Sequence, residues 1–244
     1  MSKIALITGS SGGLGKAIAS ALADAGYRLA LHYFRNEEKA QTLLRSLSAK
    51  SGAHALFHAD LREEVQIEAM VSEIADTMGP VQVLINNAGI PYSGLSWKQP
   101  SSEWQHVFSV NTMAPWLLSK HCIPMMREKG VGRIIYMSSV VAHRPPAGTS
   151  LYAASKAALE GLTRAQAVEL SRFGITVNCI APGYFDAGMI SAVDEDTRRS
   201  LLLQTPAGRL GHAAELAAAV LYLCQENAAY TTGQVVHING GLFI

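Results

Sequence analysis

Short apolar runs recur along the chain, each closed by turn residues, with longer amphipathic stretches between them. The runs at residues 4–8, 28–33, 53–58, 81–85, 133–138, 175–180 and 235–238 are too short for buried helices and predict strands. The segments at 14–25, 37–48, 64–78, 103–127, 152–172 and 213–224 carry helical patterning. Strand alternating with helix predicts a parallel sheet with helices on both faces. Runs such as "VLI" and "RIIYM" are almost continuously apolar, as strands covered on both sides are. The expectation is one α/β domain over residues 1–244 with a doubly wound, seven-stranded parallel sheet. Residues 184–211 break the alternation. An insertion of that length in a compact domain is a functional lid or is disordered, and this one is expected to cover a substrate site with one or two short helices.

Composition narrows the function classes. The formal net charge is +1, so no global field draws the chain to nucleic acid or to an anionic membrane. The three cysteines, Cys122, Cys179 and Cys224, are far apart with no C-x-x-C, which fits a reducing compartment. The eight histidines show no metal-ligand spacing, so no metal is expected. The N-terminal "MSKIALITGS" lacks a secretory signal, and no segment is long and apolar enough for a membrane span. A cytoplasmic protein is expected.

Two stretches carry candidate chemistry. The first strand runs into "TGSSGGLGKAIA", where Gly9, Gly13 and Gly15 fall between a strand and a helix. Glycine there lets backbone approach a pyrophosphate at a helix N-terminus, and a tight strand–helix turn is the alternative. Farther on, "LYAASKAALEGL" places Tyr152 and Lys156 one helical turn apart. A free Tyr titrates near 10, and a neighbouring ammonium lowers that value. The pair is either a proton donor beside the charge that tunes it or a packed aromatic beside a solvated cation.

The glycine spacing T-G-x-x-x-G-x-G, "NNAG" at 86–89, Asn111 in "VN", Ser139 thirteen residues before Tyr152, Y-x-x-x-K at 152–156 and "APG" at 181–183 together resemble the short-chain dehydrogenase/reductase family. The match covers nearly the whole chain. It implies a Rossmann fold, a nicotinamide cofactor and four catalytic positions. Tyr152 would be the acid/base, and Lys156 would hold the nicotinamide ribose and depress the tyrosine pKa. Ser139, rather than its neighbour Ser138, would bond the substrate carbonyl, and Asn111 would anchor a water leading to the lysine. Pro115 has no N–H for the Asn111 carbonyl, which leaves that oxygen available to water. An ordinary proline kink is the alternative.

The same resemblance assigns cofactor contacts to Gly9, Ser11, Gly13, Leu14 and Gly15, to Asp60 and Leu61 near the adenine, and to Asn87, Ala88 and Gly89. Asp60 also reads as a helix N-cap. Pro182, Gly183 and the backbone at Tyr184 or Phe185 would meet the carboxamide, with Ala187 where many members carry Thr. The second strand ends without the acid that binds a ribose 2′-OH. Arg35 follows it and can attract a 2′-phosphate, so NADPH/NADP+ is expected over NADH, although Gly12 stands where the family often has a basic residue.

The ending "GQVVHINGGLFI" and "PAGRLG" before Glu215 resemble the 3-oxoacyl-(acyl-carrier-protein) reductase branch. That implies NADPH-dependent reduction of a carrier-linked 3-oxoacyl thioester in fatty-acid biosynthesis, with Arg172 and Lys129 docking the carrier near the site mouth. Solvated helix ends are the alternative for both cations. His143, Arg144 and Tyr184 are candidates to border the substrate. Rival readings are a reductase of another ketone (3-oxoacyl-CoA, a sugar or a cyclic ketone) and a non-catalytic nucleotide-binding protein. The resemblance also implies a homotetramer, built through the fourth and fifth helices and the apolar C-terminal segment.

Overall fold

Alternation along single strands sets the layering. In β1 (Ile4–Ile7) successive side chains point to opposite faces: Ile4 and Leu6 enter one core, Ala5 and Ile7 the other. The same split recurs in β5 (Gly132–Met137), with Ile134 and Tyr136 on one side and Ile135 and Met137 on the other. Strands lined with apolar side chains on both faces need helices on both faces, and the computed structural model, which describes residues 2–49, 53–188 and 194–244, supplies them.

In chain order the sheet is built from β1, β2 (Arg28–Tyr33), β3 (Ala55–His58), β4 (Val81–Asn86), β5, β6 (Ile175–Pro182) and β7 (Val235–Ile238). All neighbours pair in parallel, in the order β3-β2-β1-β4-β5-β6-β7. Helices α1 (Gly13–Asp24), α2 (Glu37–Ser48) and α8 (Ala213–Cys224) cover one face. Helices α3 (Glu64–Thr77), α5 (Ala114–Lys129) and α6 (Ser150–Leu170) cover the other, with the short α4 (Ser101–Phe108) beside α6. This is a single Rossmann-type α/β domain.

Two segments depart from the sequence reading. The continuous helix expected over 103–127 is broken: α4 ends at Phe108, residues Ser109–Met113 form a π turn, and α5 starts at Ala114. Pro115, in the first turn of α5, cannot donate to residue 111, and a widened turn there is a usual way to absorb a lost bond. In the 184–211 insertion, α7 (Glu195–Gln204) is the one helix among the described residues, and 189–193 lie outside them. The base of the insertion is closed. Phe185 bridges Gly211 in strand fashion, Gly211 N–H donates to Tyr184 O at 2.9 Å, and His212 Nδ1 lies 2.7 Å from Asp186 Oδ2.

Among the described residues no helix is long and apolar enough to cross a membrane. The three cysteines are buried and free.

Candidate active site

Strand order reverses between β1 and β4, and the carboxyl ends of strands flanking such a point form a crevice. Two loops meet there. Gly9, just after β1, has φ +61°, and a Cβ on it would lie 3.1 Å from Ala88 Cα. Thr8 Oγ1 accepts the N–H groups of Asn87 and Ala88, each at 3.0 Å, and Asn87 Nδ2 donates to Thr8 O at 2.9 Å and Gly9 O at 3.1 Å. Gly15 packs so closely under the turn that a Cβ would fall 2.4 Å from Gly9 O. The first turn of α1 bears no side-chain cap and no acidic residue, which suits a phosphate. Beside it opens a cleft of about 610 Å³, which Ser11, Gly13, Leu14 and Gly15 line at one side and Asn87, Ala88 and Gly89 at another. A turn this tight, next to a cleft of this size, fits a dinucleotide.

The far end of the cleft contains a residue that the sequence reading missed. His32, at the end of β2, is buried and joins three strand ends: its Nδ1 accepts Gly9 N–H at 3.2 Å, and its Nε2 lies 3.0 Å from Ala59 O. Those partners require a neutral ring with the proton on Nε2, and burial brings the pKa down to about 4. Only the pairing of strand ends brings these groups together, so no local signal marked it. Arg35 and Arg62 both approach the Phe34 ring, at 5.3 and 5.7 Å from its centroid, and all three line the cleft with Asp60 and Leu61. The N-cap reading of Asp60 is overturned, because Glu63 caps α3. Asp60 instead accepts Arg62 N–H at 3.0 Å and pairs with the Arg62 guanidinium, which holds its carboxyl below the usual range.

At the other end, α6 presents Tyr152 and Lys156 beside the loop after β5. Ser139 opens a 3₁₀ turn (Val140–Ala142), its Oγ accepts Val141 N–H at 3.2 Å, and its hydroxyl favours ionisation of the neighbouring Tyr152 phenol. Ser138 is engaged elsewhere, by Glu160 and the Lys156 carbonyl. Lys156 is buried and donates to Met137 O at 2.8 Å. A Cβ on Gly89 would lie 3.0 Å from its Nζ, so the lysine sits at the cleft wall. The expected depression of the tyrosine is not present. Burial pushes Tyr152 up to about 12, opposed by the Ser139 hydroxyl and reinforced by Tyr184, and burial lowers Lys156 to about 8. The lysine Nζ stands 5.9 Å from the phenol ring centroid and is held by a strand carbonyl. Asn111 is buried in the π turn with its side chain fully engaged: Oδ1 accepts Ile90 N–H at 2.9 Å, and Nδ2 donates to Ile90 O and Ser155 Oγ. Its main-chain carbonyl has no N–H to accept from Pro115, four residues on.

Several sequence candidates fall away from the cleft. His143 turns inward, with Nε2 2.7 Å from Glu160 Oε1 and its ring against His237 and Phe243, because a buried carboxylate and two rings outcompete solvent. Arg144 donates to Leu242 O at 3.0 Å. The Phe185 side chain belongs to the core beside Gly211, so only its backbone can face a cofactor. Pro182 and Gly183 end β6, and a Cβ on Gly183 would meet Asn239 Cα at 2.7 Å. Tyr184 is half-buried in the cluster that contains Tyr152. Trp97 is exposed. Lys129 and Arg172 precede β5 and β6, at the amino edge of the sheet, whereas the cleft lies at the carboxyl edge. The expectation that they flank this chain's own site mouth is therefore corrected. A six-residue β5 separates the two edges by about 20 Å.

Residues 9–243 match the family described as Enoyl-(Acyl carrier protein) reductase. The chain belongs to the short-chain dehydrogenase/reductase family. Among its relatives in that family, a 3-oxoacyl-[acyl-carrier-protein] reductase of Staphylococcus aureus (strain N315) is 35% identical over 244 residues, covering 100% of this chain and 99% of the relative. One of the same name from Vibrio cholerae serotype O1 is 38% identical over 242 residues, covering 99% and 98%. Nodulation protein G of Azospirillum brasilense is 40% identical over 240 residues, covering 98% of each. As a short-chain dehydrogenase/reductase, the chain is an NAD(P)-dependent oxidoreductase, which sets aside the non-catalytic reading.

Proposed function

We propose that this enzyme reduces a 3-oxoacyl thioester, presented on acyl carrier protein, to the 3-hydroxyacyl form, with NADPH as the hydride source and Tyr152 as the proton donor. The observation that carries this reading is the placement of the Ser139 and Tyr152 hydroxyls beside each other, with Lys156 Nζ against Gly89 in the wall of a dinucleotide-sized cleft. Two donors converging on one oxygen suit a ketone that becomes an alkoxide as hydride arrives at carbon. A phenol at about 12 is fully protonated at neutral pH, and it is still a far stronger acid than the alcohol that forms. The nicotinamide supplies the hydride. Lys156 is the cation beside the ribose and the phenol, and Asn111 O and Lys156 lead protons back to Tyr152.

Arg35 supports the choice of NADPH. It lines the adenine end of the cleft, β2 ends in Tyr33 with no carboxylate, and the other nearby cation, Arg62, is paired with Asp60. Arg35→Ala should raise the KM for NADPH by about tenfold or more, the worth of one charge-assisted bond, and leave the KM for NADH nearly unchanged. Equal effects on both cofactors would remove Arg35 from phosphate recognition.

The carrier reading is supported by the relatives' names and by a basic patch. Arg127 and Arg172 stack on Phe173 at 4.4 and 4.8 Å, with Lys129 at the same sheet edge. Because that edge is remote from this chain's own cleft, a carrier docked there delivers its substrate to a neighbouring subunit. Carrier docking and the homotetramer are thus one proposal. Residues 184–211 are the proposed lid, since Ala187 and Gly188 already rest on the glycine turn, with Gly188 N 2.6 Å from where a Gly13 Cβ would stand.

The test is NADPH oxidation with acetoacetyl thioesters on carrier and on CoA, an enoyl thioester and simple ketones. Preference for the carrier-linked ketone supports the proposal. Turnover of free ketones alone would favour the second reading, a reductase of another ketone, and turnover of the enoyl thioester alone would overturn both.

A further inference from the structure

A carboxylate that the proposed chemistry does not use lies directly behind the serine. Glu160 is buried on α6, one turn beyond Lys156. Its Oε1 accepts from Ser138 Oγ at 2.8 Å and from His143 Nε2 at 2.7 Å. Those two partners bracket the 3₁₀ turn that Ser139 opens: Ser138 precedes Ser139 as β5 ends, and His143 closes the turn by donating its N–H to Val140 O at 3.0 Å. Ser138 Oγ also reaches Lys156 O at 3.1 Å, so the strand end is tied to α6 at two points. Behind the clamp, the His143 ring packs 4.6 Å from both His237 and Phe243. A buried carboxylate is costly unless fully bonded, and one that joins both ends of a functional turn to the helix bearing the proton donor has a geometric consequence.

We propose that Glu160 is a positioning residue for ketone reduction, fixing the Ser139 turn against the Tyr152–Lys156 helix through Ser138 and His143. The inference rests on the reading of Ser139 and Tyr152 as the groups that meet the substrate oxygen. Glu160 touches neither substrate nor cofactor; it sets the separation of two hydroxyls that must converge on one atom. Misplacement of such groups by about 1 Å lowers turnover by roughly a hundredfold.

Glu160→Leu removes both bonds at similar volume. It should lower kcat for the ketone by about ten- to a hundredfold, with the Kd for NADPH unchanged, whereas Glu160→Gln, which keeps an acceptor oxygen, should restore at least half of the activity. His143→Phe keeps the ring packing and removes one bond, giving a several-fold loss of kcat, and it serves as the test if Glu160→Leu does not fold. Folded Glu160→Leu with kcat within twofold of wild type would overturn the proposal. So would a Glu160→Gln as impaired as Glu160→Leu, or, where Glu160→Leu fails to fold, an unimpaired His143→Phe. Tyr152→Phe run alongside separates the two claims: if it is inactive while Glu160→Leu is unimpaired, only the positioning role falls; if Tyr152→Phe is itself active, the reading of the site falls.

Discussion

Burial moves Tyr152, Lys156 and His32 toward their neutral forms more than their neighbours move them back. Tyr152 rises to about 12 and Lys156 falls to about 8, each chiefly by desolvation. The Y-x-x-x-K spacing showed that the two side chains share a helical face, but it could not show that the lysine amine is drawn to Met137 O, on a strand distant in sequence. His32 has the clearest consequence. Its folded pKa, about 4, lies below the unfolded value near 6.5. The native state therefore binds fewer protons, and the stability contributed by the neutral ring is complete above pH 6.5 and is lost as pH falls toward 4. The loss amounts to about 3 kcal/mol. Chemical denaturation followed from pH 7 to 4 should show this decline in the wild type and a flatter one in His32→Asn, whose amide can meet the same two partners. Parallel declines would contradict the assignment.

At the scale of elements, all seven strands were legible in the sequence as short apolar runs closed by turn residues, even β3 and β7, which are only partly buried, and their boundaries shifted by only a residue or two. The break at Asn111 was half legible. Pro115 announced a missing hydrogen bond, but the π turn that absorbs it depends on Asn111 being held by Ile90 and Ser155, contacts that tertiary packing alone supplies. The same limit applies to His143, whose loop position suggested substrate while its inward rotamer is fixed by Glu160. Pro115→Ala restores an N–H to the Asn111 carbonyl. Turnover should slow several-fold and its pH profile should shift, with NADPH affinity retained. An unchanged profile would separate the turn from proton relay.

For the whole molecule, the parallel sheet separates functions between its two edges. The carboxyl edge holds the cleft, and the amino edge holds the Arg127–Phe173–Arg172 stack. Arg172→Glu should raise the KM for the carrier-linked ketone about tenfold while sparing the CoA-linked one, and the enzyme should have the mass of a tetramer in solution. A monomer that still responded to Arg172→Glu would break the link between docking and assembly, since one subunit's patch and cleft stand about 20 Å apart.

The most direct measurement is steady-state ketone reduction by Tyr152→Phe, with NADPH affinity and thermal stability recorded on the same preparation. The phenylalanine keeps the ring packed against Val140, Val141 and Leu242 and removes only the hydroxyl. The proton-donor role of Tyr152 predicts a fall in kcat of at least about a hundredfold, the lower range for loss of a general acid, at unchanged affinity and melting temperature. A kcat within a few-fold of wild type would contradict it.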